Sequence, residues 1–289
     1  MNYQHAFHAG NFADVHKHVV LTRILDHLRQ KPAAFRVIDT HAGSGCYDLL
    51  GPQAGRSGEW RDGIGRLLGA SLSHAGKTDP AQALLAPYLD LVAALNPGGS
   101  VRFYPGSPLI AKALLRRQDR LIACELEPGA AAALKTALHE RARVKALAID
   151  GWVALFANIP PKERRGLIVI DPPYEENVEF ARLSDALAQA HRKWPTGVYL
   201  SWYPIKAREG PDALARRLRR LAVPKILRCE LLIAPPRADG GLAGSGLIIV
   251  NPPFPLEREL RVILAALARL FAPAAASIHA YRLDWLAGE

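Results

Sequence analysis

Short apolar runs recur along the chain, and each ends close to an acid or a turn residue, a pattern typical of buried β-strands. The runs lie at 36–39, 121–125, 144–149, 167–170, 198–202, 226–233 and 247–250. Between several of them apolar residues recur at helical spacing, at 129–140, 178–192 and 211–221. This alternation predicts an α/β fold with a doubly wound, mostly parallel seven-stranded sheet. The last two strands, joined by a Gly/Ala/Pro-rich loop, are predicted to pair antiparallel at one edge.

One connection in this pattern is too long. Residues 46–120 separate the first two strands, whereas a crossover needs one helix and two short loops. The stretch has helical spacing at 63–68 and 80–95, with Pro/Gly punctuation around both. We therefore predict a helical insertion subdomain at 47–106 and a main domain formed by 1–46 and 107–289. A helix at 108–117 would make the true crossover.

The cysteine content and the apolar stretches indicate a cellular compartment, and the cysteines argue against a disulfide framework and a zinc site. Three widely spaced cysteines, Cys46, Cys124 and Cys229, form no Cys-x-x-Cys pair, so neither a disulfide framework nor a zinc site is indicated. No apolar stretch reaches the roughly 20 residues that a membrane span needs, and the N-terminus does not resemble a signal peptide. A cytoplasmic protein without a membrane partner is expected.

The charge of the chain favours a polyanionic partner. A net charge of +10 and a pI near 9.7 suit nucleic acid, because lysines and arginines that neutralise phosphates release counterions. The alternative is that the arginines solvate helix faces in a sequence rich in alanine, arginine and leucine. Charge alone leaves both interpretations open.

The most informative motif is Asp171-Pro172-Pro173-Tyr174, which directly follows the apolar run at 167–170. Asp171 supplies a hydrogen-bond acceptor, and Pro172 exposes a carbonyl without an amide proton of its own. Pro173 stiffens the turn, and Tyr174 offers a face on which a heterocycle can stack. The motif therefore suits a planar amine such as the amino group of adenine.

A second copy of this pattern, Asn251-Pro252-Pro253-Phe254, follows the apolar run at 247–250. In open α/β sheets ligands bind outside the carboxyl ends of the strands, at the switch in strand order. Asn251 follows the last predicted strand, which we place at the edge of the sheet, beyond that switch. Asp171 is therefore predicted to be catalytic, and Asn251 to begin a turn that ends a strand.

Acids and glycines follow the first three strands. The loop Asp39-Thr40-His41-Ala42-Gly43-Ser44-Gly45 can let the backbone pass close to a ligand, although it is not Gly-x-Gly-x-x-Gly, so a dinucleotide is disfavoured. Glu125 ends the second strand, where a carboxylate can accept ribose hydroxyls, and Asp150-Gly151 ends the third. Each alone could be a surface turn or a helix cap. Their joint placement predicts a cofactor site.

The N-terminal segment has histidines at positions 5, 8, 16 and 18. They form no His-x-x-x-His or His-Glu-x-x-His pair, so no metal site is predicted. The alternative is a helix that begins after an N-cap at Asn11, with the histidines partly buried or solvated.

These motifs carry a family resemblance. The acid followed by Gly-Ser-Gly resembles motif I, and Asp-Pro-Pro-Tyr resembles motif IV, of the S-adenosylmethionine-dependent amino-methyltransferases. With the N-terminal segment, the chain resembles the bacterial 23S ribosomal RNA adenine-N6-methyltransferases of the J type over nearly its whole length. The matching residues are Tyr3, His5, Phe7-His8-Ala9-Gly10-Asn11, Asp14-Val15, Lys17-His18, Asp39-Thr40-His41-Ala42-Gly43, Tyr104-Pro105-Gly106-Ser107-Pro108, Asp150-Gly151 and Asp171-Pro172-Pro173-Tyr174.

The resemblance implies a Rossmann-like methyltransferase fold with a helical insertion after motif I. It implies S-adenosylmethionine as cofactor and protein-free 23S ribosomal RNA as substrate, for a monomer that needs no protein partner. The implied catalytic residues are Asp171, Pro172 and Tyr174, and Tyr3 and Lys17 would contact RNA. The implied cofactor-binding residues are His18, His41, Gly43, Ser107, Glu125, Asp150, Gly151 and Asp171.

The expected reaction is methylation of a flipped adenine at N6, with its amine protons accepted by Asp171 and the Pro172 carbonyl. Three alternatives remain open. A DNA adenine-N6-methyltransferase shares the four-residue motif, although no separate target-recognition domain is evident. A protein-glutamine methyltransferase usually has Asn in the first position of the loop and does not require a charge of +10. A catalytically inactive RNA-binding assembly factor could keep the same fold.

Overall fold

The elements of the fold follow the predicted alternation of strands and helices. A computed structural model describes residues 5–70, 73–74, 77–139, 141–174, 178–237, 240–272 and 280–288. The strands are β1 (Arg36–Asp39), β2 (Cys46–Asp48), β3 (Ser73–His74), β4 (Lys77–Thr78), β5 (Phe103–Pro105), β6 (Arg120–Glu125), β7 (Val144–Ala148), β8 (Gly166–Ile170), β9 (Val198–Ile205), β10 (Ile226–Leu232), β11 (Gly244–Val250) and β12 (Tyr281–Ala287). The helices are α1 (Phe12–Gln30), α2 (Pro52–Ser57), α3 (Ile64–Gly69), α4 (Pro80–Ala94), α5 (Ser107–Ala113), α6 (Pro128–Leu138), α7 (Gly151–Asn158), α8 (Val178–Lys193), α9 (Glu209–Arg219) and α10 (Leu256–Phe271), with 3₁₀ turns at His5–Phe7 and Glu59–Arg61.

The central sheet has eight strands in the order β12-β10-β11-β9-β8-β1-β6-β7. Five neighbouring strands of this sheet run parallel, in the spatial order β7, β6, β1, β8 and β9. Strand β1 pairs with β6 on one side and with β8 on the other. Strand order therefore reverses beside β1, which creates the switch point where α/β sheets bind ligands. The prediction of a doubly wound, mostly parallel sheet is confirmed.

Two details of the predicted sheet were wrong. An eighth strand, β12, pairs with β10, and its alternation of exposed and partly buried residues contains no long apolar run that would have marked it. The predicted antiparallel pair β10 and β11 exists, but it does not form the edge, because β11 lies between β9 and β10 and runs antiparallel to both.

The apolar runs were recognisable because helices cover both faces of the sheet. Along β8, Leu167 and Val169 pack on one face with α1, α4, α5, α6 and α10, while Ile168 and Ile170 pack on the other with α7, α8 and α9. Helices α7 and α10 were not predicted. The predicted helix start after Asn11 is correct, since the Asn11 side chain accepts hydrogen bonds from the amides of Ala13 and Asp14.

The long connection between β1 and β6 is joined at its base by β2 and β5, which pair antiparallel from Cys46 opposite Pro105 to Asp48 opposite Phe103. Its helix α4 packs against α1 and α10, and Leu85 and Tyr88 are buried in the same apolar cluster as α1. Helix α5 then leads into β6, in place of the longer helix predicted at 108–117. The division of the chain into a main domain and a subdomain at 47–106 stays a prediction.

Candidate active site

The carboxyl ends of β1, β6 and β8 meet at one edge of the sheet and open into a cleft of about 690 Å³, the first cleft. Asp171, directly after β8, lies in its wall. Tyr3 lies outside the described residues. The residues predicted from sequence that line the first cleft are Lys17, His18, His41, Gly43, Ser107, Glu125, Asp150, Gly151 and Asp171.

A second cleft of about 740 Å³ adjoins the first. Pro172 and Tyr174 line this second cleft, and His5, Lys17 and Asp171 line both. Asp171 therefore stands where the two clefts meet. The second cleft also has walls that sequence reasoning did not assign, which include Trp202, Pro204, Lys206, Ile233, Leu242 and Phe271.

Two glycines hold the backbone of the first cleft where no side chain fits. Gly43 has a φ of 59°, and a Cβ atom there would lie 2.2 Å from the Tyr47 hydroxyl oxygen. A Cβ atom on Gly151 would lie 2.1 Å from the Thr40 carbonyl oxygen. The Gly43 amide donates to Oε2 of Glu125 at 2.9 Å, which ties the turn after β1 to the end of β6. The packing of the protein around the first cleft therefore requires glycine at both positions.

Asp150 has a local structural role besides its place in the first cleft. Its Oδ1 accepts a hydrogen bond from the Val153 amide at 2.9 Å, so Asp150 is the N-cap of α7. The helix-cap alternative considered for this residue is thus correct, and it coexists with a position in the cleft wall.

Both histidines predicted for the first cleft are uncharged near neutral pH. Burial lowers the pKa of His18 to about 3 and that of His41 to about 4. His18 Nδ1 lies 2.8 Å from the Tyr104 hydroxyl oxygen, and His41 Nδ1 lies 2.8 Å from Thr40 Oγ1. Because both imidazole rings are neutral, the two histidines do not repel a cationic ligand.

Asp39, at the end of β1, is a buried acid beside this cleft. Burial raises its pKa to about 7, against the opposing effect of the Ser107 hydroxyl and of Lys17. A cation bound nearby would favour the ionised carboxylate. From the sequence, Asp39 was the acid of the turn that resembles motif I, but it was not predicted as a site residue.

At the junction of the clefts, the Lys17 ammonium contacts the carboxylates of both Asp14 and Asp171, the former at 3.0 Å. Burial alone would lower the pKa of Lys17, but the two carboxylates outweigh it and hold the pKa above its ordinary value. The side chains of Asp14, Lys17 and His18 share one face of α1 because they are spaced three and four residues apart. Asp14 was not predicted as a site residue, although this spacing could have indicated it.

Tyr174 is held by aromatic neighbours and one hydrogen bond. Its hydroxyl donates to the Trp202 carbonyl oxygen at 2.8 Å, and its ring centroid lies 4.9 Å from that of Phe180 and 5.8 Å from that of Trp202. Burial raises the pKa of Tyr174 well above its usual value, so the hydroxyl stays protonated. The hydrogen bond and the two aromatic contacts therefore fix the orientation of the Tyr174 ring.

A buried relay supports Trp202 in turn. Trp202 Nε1 donates to Ser245 Oγ at 3.0 Å, and Ser245 Oγ lies 3.0 Å from His16 Nδ1. Because an indole nitrogen can only donate, the serine hydroxyl accepts this hydrogen bond, and it also pairs with His16, a neutral ring whose Nε2 lies 3.2 Å from Cys229 Sγ. Burial lowers the pKa of His16 to about 3, in agreement with this neutral form.

The second Pro-Pro turn lies at the other end of the sheet. Strand β11 runs antiparallel to β9, with Val250 opposite Tyr199, so it ends where the parallel strands begin. Asn251, at a φ of 53°, donates through Nδ2 to the carbonyl oxygens of Pro195 and Gly197, both at 2.8 Å. It is not among the described residues that line either cleft. The expected reason for excluding it, an edge position, was wrong, because strand direction is what separates it from the site.

The described ranges of the chain also bear on metal binding and on membrane crossing. Within those ranges no three His, Cys, Asp or Glu side chains converge as metal ligands would. None of the helices there combines the length and the apolar character that a bilayer crossing requires.

The sheet order, the glycine turn after β1 and the clefts at the carboxyl ends define the class of the protein as a Rossmann-like α/β protein with its candidate site at the switch point. The model of the family described as ribosomal RNA large subunit methyltransferase D, RlmJ, matches residues 32–287. The chain belongs to this family, and the family resemblance predicted from its motifs is confirmed.

Relatives in two bacteria match the chain from end to end. The ribosomal RNA large subunit methyltransferase J of Escherichia coli K12 is 37% identical over 289 residues and covers 100% of both chains. The protein of the same name from Haemophilus influenzae is 36% identical over 290 residues, again with 100% coverage of both. A crystal structure of a Legionella pneumophila protein superposes with a TM-score of 0.83 at 33% identity, covering 96% of this chain and 97% of that one.

Proposed function

We propose that this protein transfers a methyl group from S-adenosylmethionine to N6 of an adenine in protein-free 23S ribosomal RNA. The observation that carries the proposal is the position of Asp171, which lies between a cleft suited to the cofactor and a cleft suited to a base. Membership of the family and the names of the full-length relatives support large-subunit ribosomal RNA as the substrate. The protein acts as a cytoplasmic monomer.

The residues of the first cleft fit the methyl donor. In this proposal Glu125 accepts hydrogen bonds from its ribose hydroxyls, and Asp150 with Gly151 holds its adenosine part; all three residues line the first cleft. His18, His41, Gly43 and Ser107 line the rest of this binding site. The two neutral histidines and the buried Asp39 suit a cation, and the bound cofactor supplies a methyl group that is already activated as a sulfonium.

The second cleft receives the flipped adenine. Its amino nitrogen is a poor nucleophile because the lone pair is delocalised into the ring, so positioning does most of the work. Tyr174 stacks on the base, while Asp171 and the Pro172 carbonyl accept the two amine protons and direct the lone pair towards the first cleft. Asp171 accepts the surplus proton, and the permanently protonated Lys17 holds the Asp171 carboxylate in place.

Basic side chains at the rim of the second cleft suit the phosphates beside the target base. Arg66 lines this cleft from α3, and Lys206 lines it just after β9. The Arg237 amide donates to the Lys206 carbonyl oxygen at 2.9 Å, so Arg237 is adjacent to Lys206. Tyr3, outside the described residues, is proposed as a further RNA contact together with Lys17. Phosphate contacts of this kind supply affinity that does not depend on base sequence.

The test is methyl transfer from labelled S-adenosylmethionine to deproteinised 23S ribosomal RNA, in competition with duplex DNA and a glutamine-containing protein substrate. We expect N6-methyladenine at one position of the RNA, detected by nuclease digestion and mass spectrometry. A higher kcat/KM on DNA or protein would overturn the RNA assignment. Cofactor binding by calorimetry without methylation of any of the three would favour the inactive assembly factor.

A further inference from the structure

The insertion predicted at 47–106 contacts the N-terminal segment through the carboxylate of Glu59. Both carboxylate oxygens of Glu59 lie 3.0 Å from His8 Nδ1. The Asn11 side chain donates through Nδ2 to Glu59 Oε2 at 2.9 Å. Since Asn11 is also the N-cap of α1, this single carboxylate contacts both the N-terminal segment and the first turn of the helix that carries Lys17.

Backbone contacts around Glu59 reinforce this attachment. The Ile64 amide donates to the Gly10 carbonyl oxygen at 2.8 Å, and the Ser57 hydroxyl donates to the Phe7 carbonyl oxygen. The approach depends on Gly63, where a Cβ atom would lie 2.1 Å from the Gly10 carbonyl oxygen. The insertion therefore contacts residues 7–11 through Ser57, Glu59, Gly63 and Ile64, and we call this contact the clamp.

The clamp connects to the junction of the two clefts by a short series of polar contacts. Asn11 Oδ1 accepts the Asp14 amide at 3.0 Å, and Asp14 Oδ2 accepts the Gly10 amide at 3.0 Å. Asp14 also contacts Lys17 at 3.0 Å, and Lys17 contacts Asp171. Each partner in the series from Glu59 to Asp171 touches the next, so a continuous polar path joins the insertion to the Lys17 ammonium.

We propose that the insertion serves as a clamp for the N-terminal segment, with Glu59 as a positioning residue for the Lys17 and Asp171 pair. The kinetic part of this proposal rests on the proposed methyl transfer, whereas the attachment itself does not. Glu59 lines the second cleft, but in this scheme it does not act on the reacting atoms. It acts through Asn11 and the first turn of α1.

The His8 contact makes part of the clamp depend on pH. The hydrogen bond with Glu59 raises the pKa of His8 above 6.5, burial opposes it, and nearby Asp14 and Lys206 respectively raise and lower it. A group whose pKa is raised by its partner contributes fully below its ordinary pKa and loses that contribution as pH rises through the raised value. The attachment is therefore firmest below pH 6.5 and above the pKa of Glu59, which, against the effect of burial, the His8 and Asn11 hydrogen bonds hold below 4.5.

The deciding variant is Glu59→Gln, which keeps an acceptor for Asn11 but removes the charge. We expect the His8 pKa, followed by NMR, to fall, and the amides of residues 10–15 and Ile64 to exchange faster at constant Tm. We expect kcat to fall about tenfold, as for the loss of one charge-assisted hydrogen bond, with cofactor Kd changed by no more than about threefold. Asp48→Asn is the matched control, since Asp48 belongs to the same insertion and pairs with Arg102.

Glu59→Asp shortens the acid by one methylene and should recover part of the His8 pKa shift and of kcat, whereas Gly63→Ala should loosen the same amides by separating the two backbones. Wild-type exchange and kcat in both Glu59→Gln and Gly63→Ala would overturn the clamp. Faster exchange spread evenly over the sheet would also overturn it, because the effect would then be global. If the wild-type protein methylates no RNA, the proposed function fails while the NMR and exchange data still decide the clamp.

Discussion

Two turns of nearly the same sequence lie at opposite ends of one sheet. Asp171-Pro172-Pro173-Tyr174 follows β8, and Asn251-Pro252-Pro253-Phe254 follows β11. Both strands are fully buried apolar runs. Yet Asp171 lies at the junction of two clefts, while Asn251 uses its side chain to bind the carbonyl oxygens of Pro195 and Gly197.

The difference follows from strand direction. Strand β8 is parallel to β1, so its carboxyl end joins the turns that follow β1 and β6. Strand β11 is antiparallel to β9, so its carboxyl end points the other way. A four-residue motif is therefore informative about chemistry only together with the direction of the strand that precedes it.

The comparison between the two turns is tested most strongly by replacing the first residue of each turn with alanine. Asp171→Ala should lower kcat by about 10³-fold, because the acceptor of the amine proton is lost. Asn251→Ala should leave kcat unchanged and lower the free energy of unfolding by about 2 kcal/mol, through two lost hydrogen bonds and a strained φ. Single-turnover methylation and urea unfolding measure the two quantities. Equal kinetic losses would abolish the distinction between the turns.

The aromatic residues that close the turns provide a second contrast. Tyr174→Ala should lower kcat/KM on RNA by roughly tenfold to a hundredfold, the effect of one lost base stack. Tyr174→Phe keeps the ring and should lose far less. Phe254 is 99% exposed, so Phe254→Ala should change neither kcat/KM nor Tm. Steady-state kinetics on ribosomal RNA compare the three variants, and a full loss in Tyr174→Phe would contradict the stacking role.

A third prediction concerns the strand beside β8 at the same end of the sheet. Since burial raises the pKa of Asp39 to about 7, a cationic cofactor binds best once Asp39 has lost its proton. Below pH 7 the affinity for S-adenosylmethionine should therefore fall by about tenfold per pH unit at most, with release of a proton on binding. Calorimetry in buffers of different ionisation enthalpy detects that proton. Asp39→Asn should remove the pH slope, and its persistence would assign the slope to another group.

The smallest effect is expected at the start of β11. Because β11 is antiparallel, its first residues lie at the end of the sheet that holds the two clefts, and its last residues lie at the opposite end. Ser245→Ala removes the acceptor of Trp202 Nε1 and the hydrogen-bond partner of His16 Nδ1. We expect KM for RNA to rise about fivefold with kcat nearly unchanged, because one neutral hydrogen bond behind the base platform is lost. In a Trp202→Phe background the same change should have no further effect on KM. Additive losses would show that the relay does not act through Trp202.

Much of the fold was predictable because burial on both faces of the sheet leaves continuous apolar runs. All seven predicted strands are present. Strand β12 was missed because it lies at the exposed edge and alternates charged with apolar residues. The placement of Asp171, Glu125 and Asp150 at strand ends could be predicted for the same reason, since each follows such a run directly.

The supporting residues could not be predicted from local pattern. His16 and Ser245 are 229 positions apart in the chain, and Glu59 meets Asn11 across 48 positions. Neither pair stands out by type or spacing. Asp14 is a partial exception, because its spacing to Lys17 and His18 places the three on one helix face.

The sequence by itself determined which segments are buried, how strands and helices alternate, and which four residues can hold a planar amine. Only the tertiary structure decided the direction of β11, and with it the roles of the two Pro-Pro turns. The physical reason is that an apolar run records burial, which is the same for a strand in either direction. Direction is set by hydrogen bonds to neighbouring strands, and those partners are distant in the chain.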